Sequence, residues 1–178
     1  MEFAIILPMR IGLIGWIMMI NKNDMLNSTL ETALRILMLL RNMPDNQLDI
    51  DEILLLDYYV LHINDFNSKM ESLHPSIPNR ENEILVRRKI IQQSILLLDS
   101  RNLLTTNYTS SGIRYSSNQL TISFVDYLET PYAEKIKTNI SKVNEKSKIE
   151  LVEEIKKHIY NNPKFWLNEF EYSNTKEI

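Results

Sequence analysis

The chain has 178 residues, 44% of them hydrophobic, a net charge of −3 and a pI near 5.7. That suffices for one domain with an appendage and a real core, and the mild acidity excludes a uniformly basic nucleic-acid binder, so any DNA contact must come from a local patch. The lack of cysteine excludes disulfide scaffolds and thiolate metal or redox sites and is compatible with a reducing cytoplasm; 3 Gly and 6 Pro favour helices over loop-rich β structure.

Residues 3–20, FAIILPMRIGLIGWIMMI, form an apolar run close to the shortest membrane span. Arg10 near its middle costs roughly 2.5–3.5 kcal/mol on insertion scales, against about 0.3–0.6 kcal/mol returned by each large apolar residue. Pro8, Gly12 and Gly15 erode that return, and no basic n-region precedes the run. Three readings stay open for residues 1–24. They are a membrane anchor, an apolar segment packed on the domain or a partner, or upstream sequence translated from a wrong start. We favour the third, because Met25 opens a cleaner globular pattern.

Ser28 to Glu31 is a capping-box pattern, and Leu30, Ala33, Leu34, Leu37 and Leu40 follow at helical spacing until Pro44 stops the first helix. Asp49 to Glu52 repeats the capping logic ahead of a second helix from about Ile50 to His62. That helix is apolar on most sides and therefore belongs between other elements. Asp57 interrupts its apolar run. A buried carboxylate there needs a cation or hydrogen-bond donors, because an unpaired buried charge is costly. Arg87 or Arg88 on the next helix is the expected partner. His62, near the helix end, reads as a cap or a surface residue.

Residues 64–80, with Pro75 and Pro78, read as a long loop of the kind that is often functional. His74 there packs the loop or contacts a partner. A third helix runs from about Glu81 to Ser100, with Ile84, Leu85, Ile91, Ile95 and Leu98 on its apolar face. Two short strands flank a Ser-Ser-Gly turn at Gly112. Asn118 caps a further helix with Leu120, Phe124, Val125 and Leu128 as its buried stripe. Thr130-Pro131 starts the next helix, and Ser147 to Glu150 opens a last one bearing Leu151, Ile155 and Ile159. Phe165, Trp166 and Phe170 form an aromatic tail expected to dock on the body.

Three helices, a hairpin and further helices give a mainly α fold. The expectation is a winged-helix-like core over 25–130, with a β-hairpin wing, and a C-terminal helical extension over 131–178. In such a core the third helix and the wing carry the recognition surface. Arg87, Arg88 and Lys89, extended by Arg101 and Arg114, are the candidate phosphate contacts. Helical rotation of about 100° per residue keeps the first three off a single face, and Glu81, Glu83 and Asp99 dilute the field, so a solvated or internally paired set is the competing reading. His62, His74 and His158 are far apart, which argues against a metal site. No phosphate loop or other enzyme signature emerges, so no catalytic residue and no cofactor is assigned.

Several segments together carry a resemblance: 28–43, 49–66, 72–106, 112–116 and 124–136. In this order they resemble the middle-component family of the bacterial ABC-three-component systems, which also supplies the accessory subunit of Lamassu-type defence. The family's motif positions here are Leu56-Asp57-Tyr58, Leu73-His74-Pro75, Asn79-Arg80, Glu83, Val86-Arg87-Arg88 and Gly112-Ile113 with Tyr115. The resemblance implies a small, non-enzymatic, cytoplasmic adaptor beside an ATPase similar to SMC and Rad50 proteins and a variable effector, acting against phage or plasmids. DNA contact would then come through the complex. The loop residues His74, Pro75 and Arg80 are the candidate partner contacts. A stand-alone winged-helix DNA-binding regulator is the alternative.

Overall fold

The computed structural model describes residues 28–43, 47–74 and 83–160. Helix α1, Thr29–Asn42, begins where Ser28 accepts the Glu31 amide at 3.1 Å. This satisfies one of the free N–H groups of the first turn. Helix α2, Ile50–Leu61, starts from a complete capping box, with Glu52 N donating to Asp49 and Asp49 N donating to Glu52.

Every residue of α2 from Ile53 to Leu61 is buried. Its all-round apolarity has a direct cause: it is the central helix, packed by α1, by helices α3 (Glu83–Ser100), α5 (Pro131–Ser141) and α6 (Lys148–Tyr160), and by the hairpin. Of the apolar positions expected on α3, Ile84, Ile91, Ile95 and Leu98 are buried in the same core, and the Leu85 side chain lies outside those described.

Helix α3 ends in a Schellman-type turn. Asn102 takes a left-handed φ of 54°, Leu103 N donates to Leu98 O and Asn102 N to Asp99 O. Asn is one of the few non-glycine residues that tolerate this conformation. The turn aims the chain into strands β1, Thr105–Thr109, and β2, Gly112–Ser116, paired antiparallel with Thr106 opposite Tyr115 and Tyr108 opposite Ile113. Gly112 has φ +120°, a value L side chains rarely adopt, so the turn needs glycine there.

A bridge not expected from the sequence ties the hairpin to the body. Leu48, between α1 and α2, exchanges two backbone hydrogen bonds with Tyr115, at 2.9 and 2.8 Å. Helix α4, Gln119–Asp126, is capped by Asn118, and α5 begins with Thr130 as cap and Pro131 in its first turn. Helices α5 and α6 join the core rather than trailing from it. Ile136, Ile140, Leu151, Ile155 and Ile159 belong to the main apolar cluster, and Asn139 Nδ2 donates to Val60 O at 3.0 Å.

Two expectations need correction. Leu120 is 47% exposed, because in this eight-residue helix Thr121 and Val125 take the buried positions. His62 caps α2, as one reading had it, but it is not at the surface. It is 1% exposed, its ring set edge-on against Tyr58 at 4.8 Å, because the chain folds back through the turn Ile63–Asp65. Asn64 then organises the start of the long loop by donating to Met70 O at 2.8 Å, and Leu73 N reaches back to Leu61 O. Residues 1–24, Pro75, Pro78, Arg80 and the aromatic tail lie outside the described residues. Among those described, no helix is long and apolar enough to cross a membrane.

Candidate functional site

The main charged cluster in the interior spans three helices. Asp57 on α2 sits between two guanidinium groups. Arg35 of α1 donates through Nε to Oδ1 at 2.8 Å and through Nη2 to Oδ2 at 3.4 Å, and Arg87 of α3 reaches Oδ2 through Nη2 at 2.8 Å. All three residues are at most 3% exposed. Arg35 also donates to Thr32 Oγ1 at 3.1 Å and meets Glu31 one turn before it, Nη1 to Oε1, at 2.7 Å. The same Glu31 oxygen accepts the Tyr132 hydroxyl from α5 and lies 3.5 Å from Nε2 of His74.

The helical positions make this possible. Glu31 and Arg35 are four apart on α1 and share its inner face. Asp57 and Arg87 each fall at the middle or start of a helix that packs on α1. Two carboxylates and two guanidinium groups compensate each other, which is what makes burial of four ionic side chains tolerable.

The electrostatics follow. Burial alone would raise the Asp57 carboxyl, but Arg35 first and Arg87 second outweigh it and hold it down at about 2. Burial pulls Arg35 down, yet the Asp57 charge and hydrogen bond, aided by Glu31, leave it above its ordinary value. The Tyr132 hydroxyl is raised by burial and by donating to Glu31. Asp57 therefore stays an ionised acceptor, saturated by its two partners. The cluster clamps α1, α2, α3 and α5 into one register.

The structure divides the sequence-predicted residues. Arg87 lies against Asp57, whereas Arg88 turns outward to Asp51 at the start of α2. As a buried partner of Asp57, Arg87 is not a phosphate contact, which corrects that assignment. Arg114 does not point away from the wing either. It binds Glu52 Oε2 at 2.8 Å and lies 3.5 Å from Asp49 Oδ2, folding the strand against the cap of α2. Glu52 meets Lys148 of α6 through its other oxygen at 2.8 Å. Lys89 and Arg101 remain exposed, with no carboxylate partner among the described residues. Of the partner-loop trio only His74 is described, and it faces Glu31. Among the described residues no group of three or more His, Cys, Asp or Glu could hold a metal ion.

Sequence reasoning missed Arg35, Glu31 as more than a cap, and Tyr132. The signal was present in Arg35, a cation inside the apolar stripe of α1, set four residues after an acid.

Comparison with known families matches residues 25–169 to the model of the ABC-three component (ABC-3C) system Middle Component 2. The chain belongs to this family. No curated protein and no solved structure matches it. Middle Component 2 spans both the core and the C-terminal helices, and the Asp57 cluster and the hairpin both fall within the matched region. As the middle component of a multi-component system, the chain has partner subunits.

Proposed function

We propose that this middle component is a non-enzymatic adaptor of a bacterial defence complex against phage or plasmids, of the Lamassu type. It docks on an SMC- or Rad50-like ATPase in the cytoplasm and links that ATPase to an effector. The observation that carries this reading is membership of a three-component family together with the disposition of charge. The prominent ionic groups, Arg35, Asp57 and Arg87, are spent inside the protein holding helices together. Arg114, the one charge of the hairpin, faces the protein's own Glu52. Such a surface suits protein contacts better than a phosphate track. The test is co-expression with the ATPase encoded in the same system. Stable co-purification supports the adaptor. A chain that ignores the ATPase and binds DNA tightly at physiological salt overturns it.

A second reading, a winged-helix DNA-binding regulator, is favoured by a specific arrangement. A helix, the Leu48 bridge, two helices and a hairpin follow in winged-helix order. The outward side of α3 presents Arg88, Lys89, Gln92 and Gln93. Within the complex this face is the place where DNA contact, if made, would be salt-sensitive.

A further inference from the structure

The two hydrogen bonds between Leu48 and Tyr115 fix the phase of the whole hairpin. They point the N–H and C=O of Tyr115 toward Leu48, and therefore away from β1. Tyr115 and its partner Thr106 are thus a non-hydrogen-bonded pair, and antiparallel ladders alternate. Thr105, Asn107 and Thr109 face β2. Thr106 and Tyr108 turn two N–H and two C=O groups to the outer side of β1. Among the described residues no third strand covers that side, and neither residue has a further backbone partner there.

An open strand edge is normally blunted by lysine, proline or a bulge. Here residues 102–113 carry no charge and no proline, and β1 itself is TTNYT, a composition suited to strand pairing. The side chains reinforce the point. Thr106 and Tyr115 lie on the hairpin face that reaches the body, where Thr106 Oγ1 donates to Asp99 and Tyr115 packs on the core. Tyr108 and Ile113 continue that face beyond the body, 82% and 45% exposed.

We propose that β1 is an open docking edge that takes up an extended, uncharged segment of another component of the complex as its next strand. This rests on the adaptor reading. Main-chain hydrogen bonds to Thr106 and Tyr108 hold the segment, and an apolar side chain of it lies beside Tyr108 and Ile113, the usual division of labour in strand addition. Uncharged chemistry suits the edge because residues 102–113 carry no charge and the neighbouring Asp99 is engaged by Thr106. A second copy is a poorer occupant. Pairing β1 with β1 about Asn107 makes only four backbone hydrogen bonds along a five-residue strand, whereas stable association buries roughly 1,200 Å². A segment belonging to a partner already held elsewhere gains effective concentration instead.

The test uses the full chain co-expressed with the ATPase and effector components of its system. Thr106→Pro deletes an outward N–H without removing a hydrogen bond to β2, Thr106→Val controls for the hydroxyl bonded to Asp99 and is expected to capture as wild type does, and Ile149→Ala, at an exposed site on α6, is the second control. The expected result is at least tenfold weaker capture of a partner by Thr106→Pro with its Tm within a few degrees of wild type, and no change for Ile149→Ala. Amide hydrogen exchange on the wild-type complex gives an independent measurement, with Thr106 and Tyr108 at least tenfold slower than in the chain alone. Equal capture by Thr106→Pro, or unchanged exchange at both amides in a complex that does form, overturns the docking edge and leaves the adaptor standing. No capture of wild type by any component overturns both. A dimer of the chain alone that Thr106→Pro dissolves assigns the edge to a second copy and also overturns the proposal.

Discussion

Arg35 Nε stands 2.8 Å from Asp57 Oδ1, with both side chains at most 2% exposed. The contact joins α1 to α2 in the interior, so its value lies in what its loss exposes. Removing Asp57 takes from two buried guanidinium groups the carboxylate they share. Breaking a buried pair in this way costs about 3–5 kcal/mol, more than the methylene lost with it. Asp57→Ala is therefore expected to lower the urea midpoint and Tm sharply, and a melting temperature equal to wild type would refute the clamp.

Acid provides a gentler perturbation of the same group. Asp57 titrates near 3.8 when unperturbed and near 2 in the fold. A folded pKa below the unfolded one stabilises the fold at pH values above the unfolded pKa, and that contribution disappears as pH falls through the folded pKa. The shift is worth about 2 kcal/mol. The stability gap between wild type and Asp57→Asn should be constant from pH 7 down to about 5 and narrow by roughly that amount as pH approaches 2. Paired urea titrations at each pH check it, and a gap that widens on acidification contradicts the assignment.

These two predictions rest on a residue visible in the sequence, because a lone acid in an apolar helix announces an internal partner. The partner was half legible. Arg87 and Arg88 are adjacent, and helical rotation requires one in and one out, but only the packing of α3 on α2 decides that Arg87 is inside. Arg35 carried a signal in its spacing from Glu31, but a cation in an amphipathic helix is read first as a surface residue. Helix starts at Ser28, Asp49, Asn118 and Thr130 were legible because capping is local chemistry. The Leu48 bridge and the burial of His62 were not, because both depend on where the chain returns after a turn.

Glu52 separates capping from charge. It accepts the Asp49 amide and meets both Arg114 and Lys148, which are about a quarter exposed. Partly exposed pairs are worth roughly 0–1 kcal/mol, and a cap about 1 kcal/mol. Glu52→Ala is expected to cost about 1–2 kcal/mol and to speed amide exchange in β2. Glu52→Gln, which can still accept the amide, is expected to cost less than about 1 kcal/mol. Equal losses for the two substitutions would show that charge rather than capping dominates.

The basic residues of α3 and of the turn that ends it should split by burial. Lys89 and Arg101 are exposed and free of carboxylates among the described residues, so Lys89→Ala and Arg101→Ala are each expected within about 0.5 kcal/mol of wild type. Arg87→Ala, which strips Asp57 of one of its two cations, should destabilise by several times that amount. If the assembled complex holds DNA through this face, the double substitution Lys89→Ala/Arg101→Ala should weaken retention equally on unrelated sequences and reduce its salt dependence by about two phosphate contacts. Filter binding of the complex at two or more salt concentrations measures both quantities. Retention unaffected by the double substitution would remove Lys89 and Arg101 from any DNA-contacting surface while leaving the structural role of Arg87 in place.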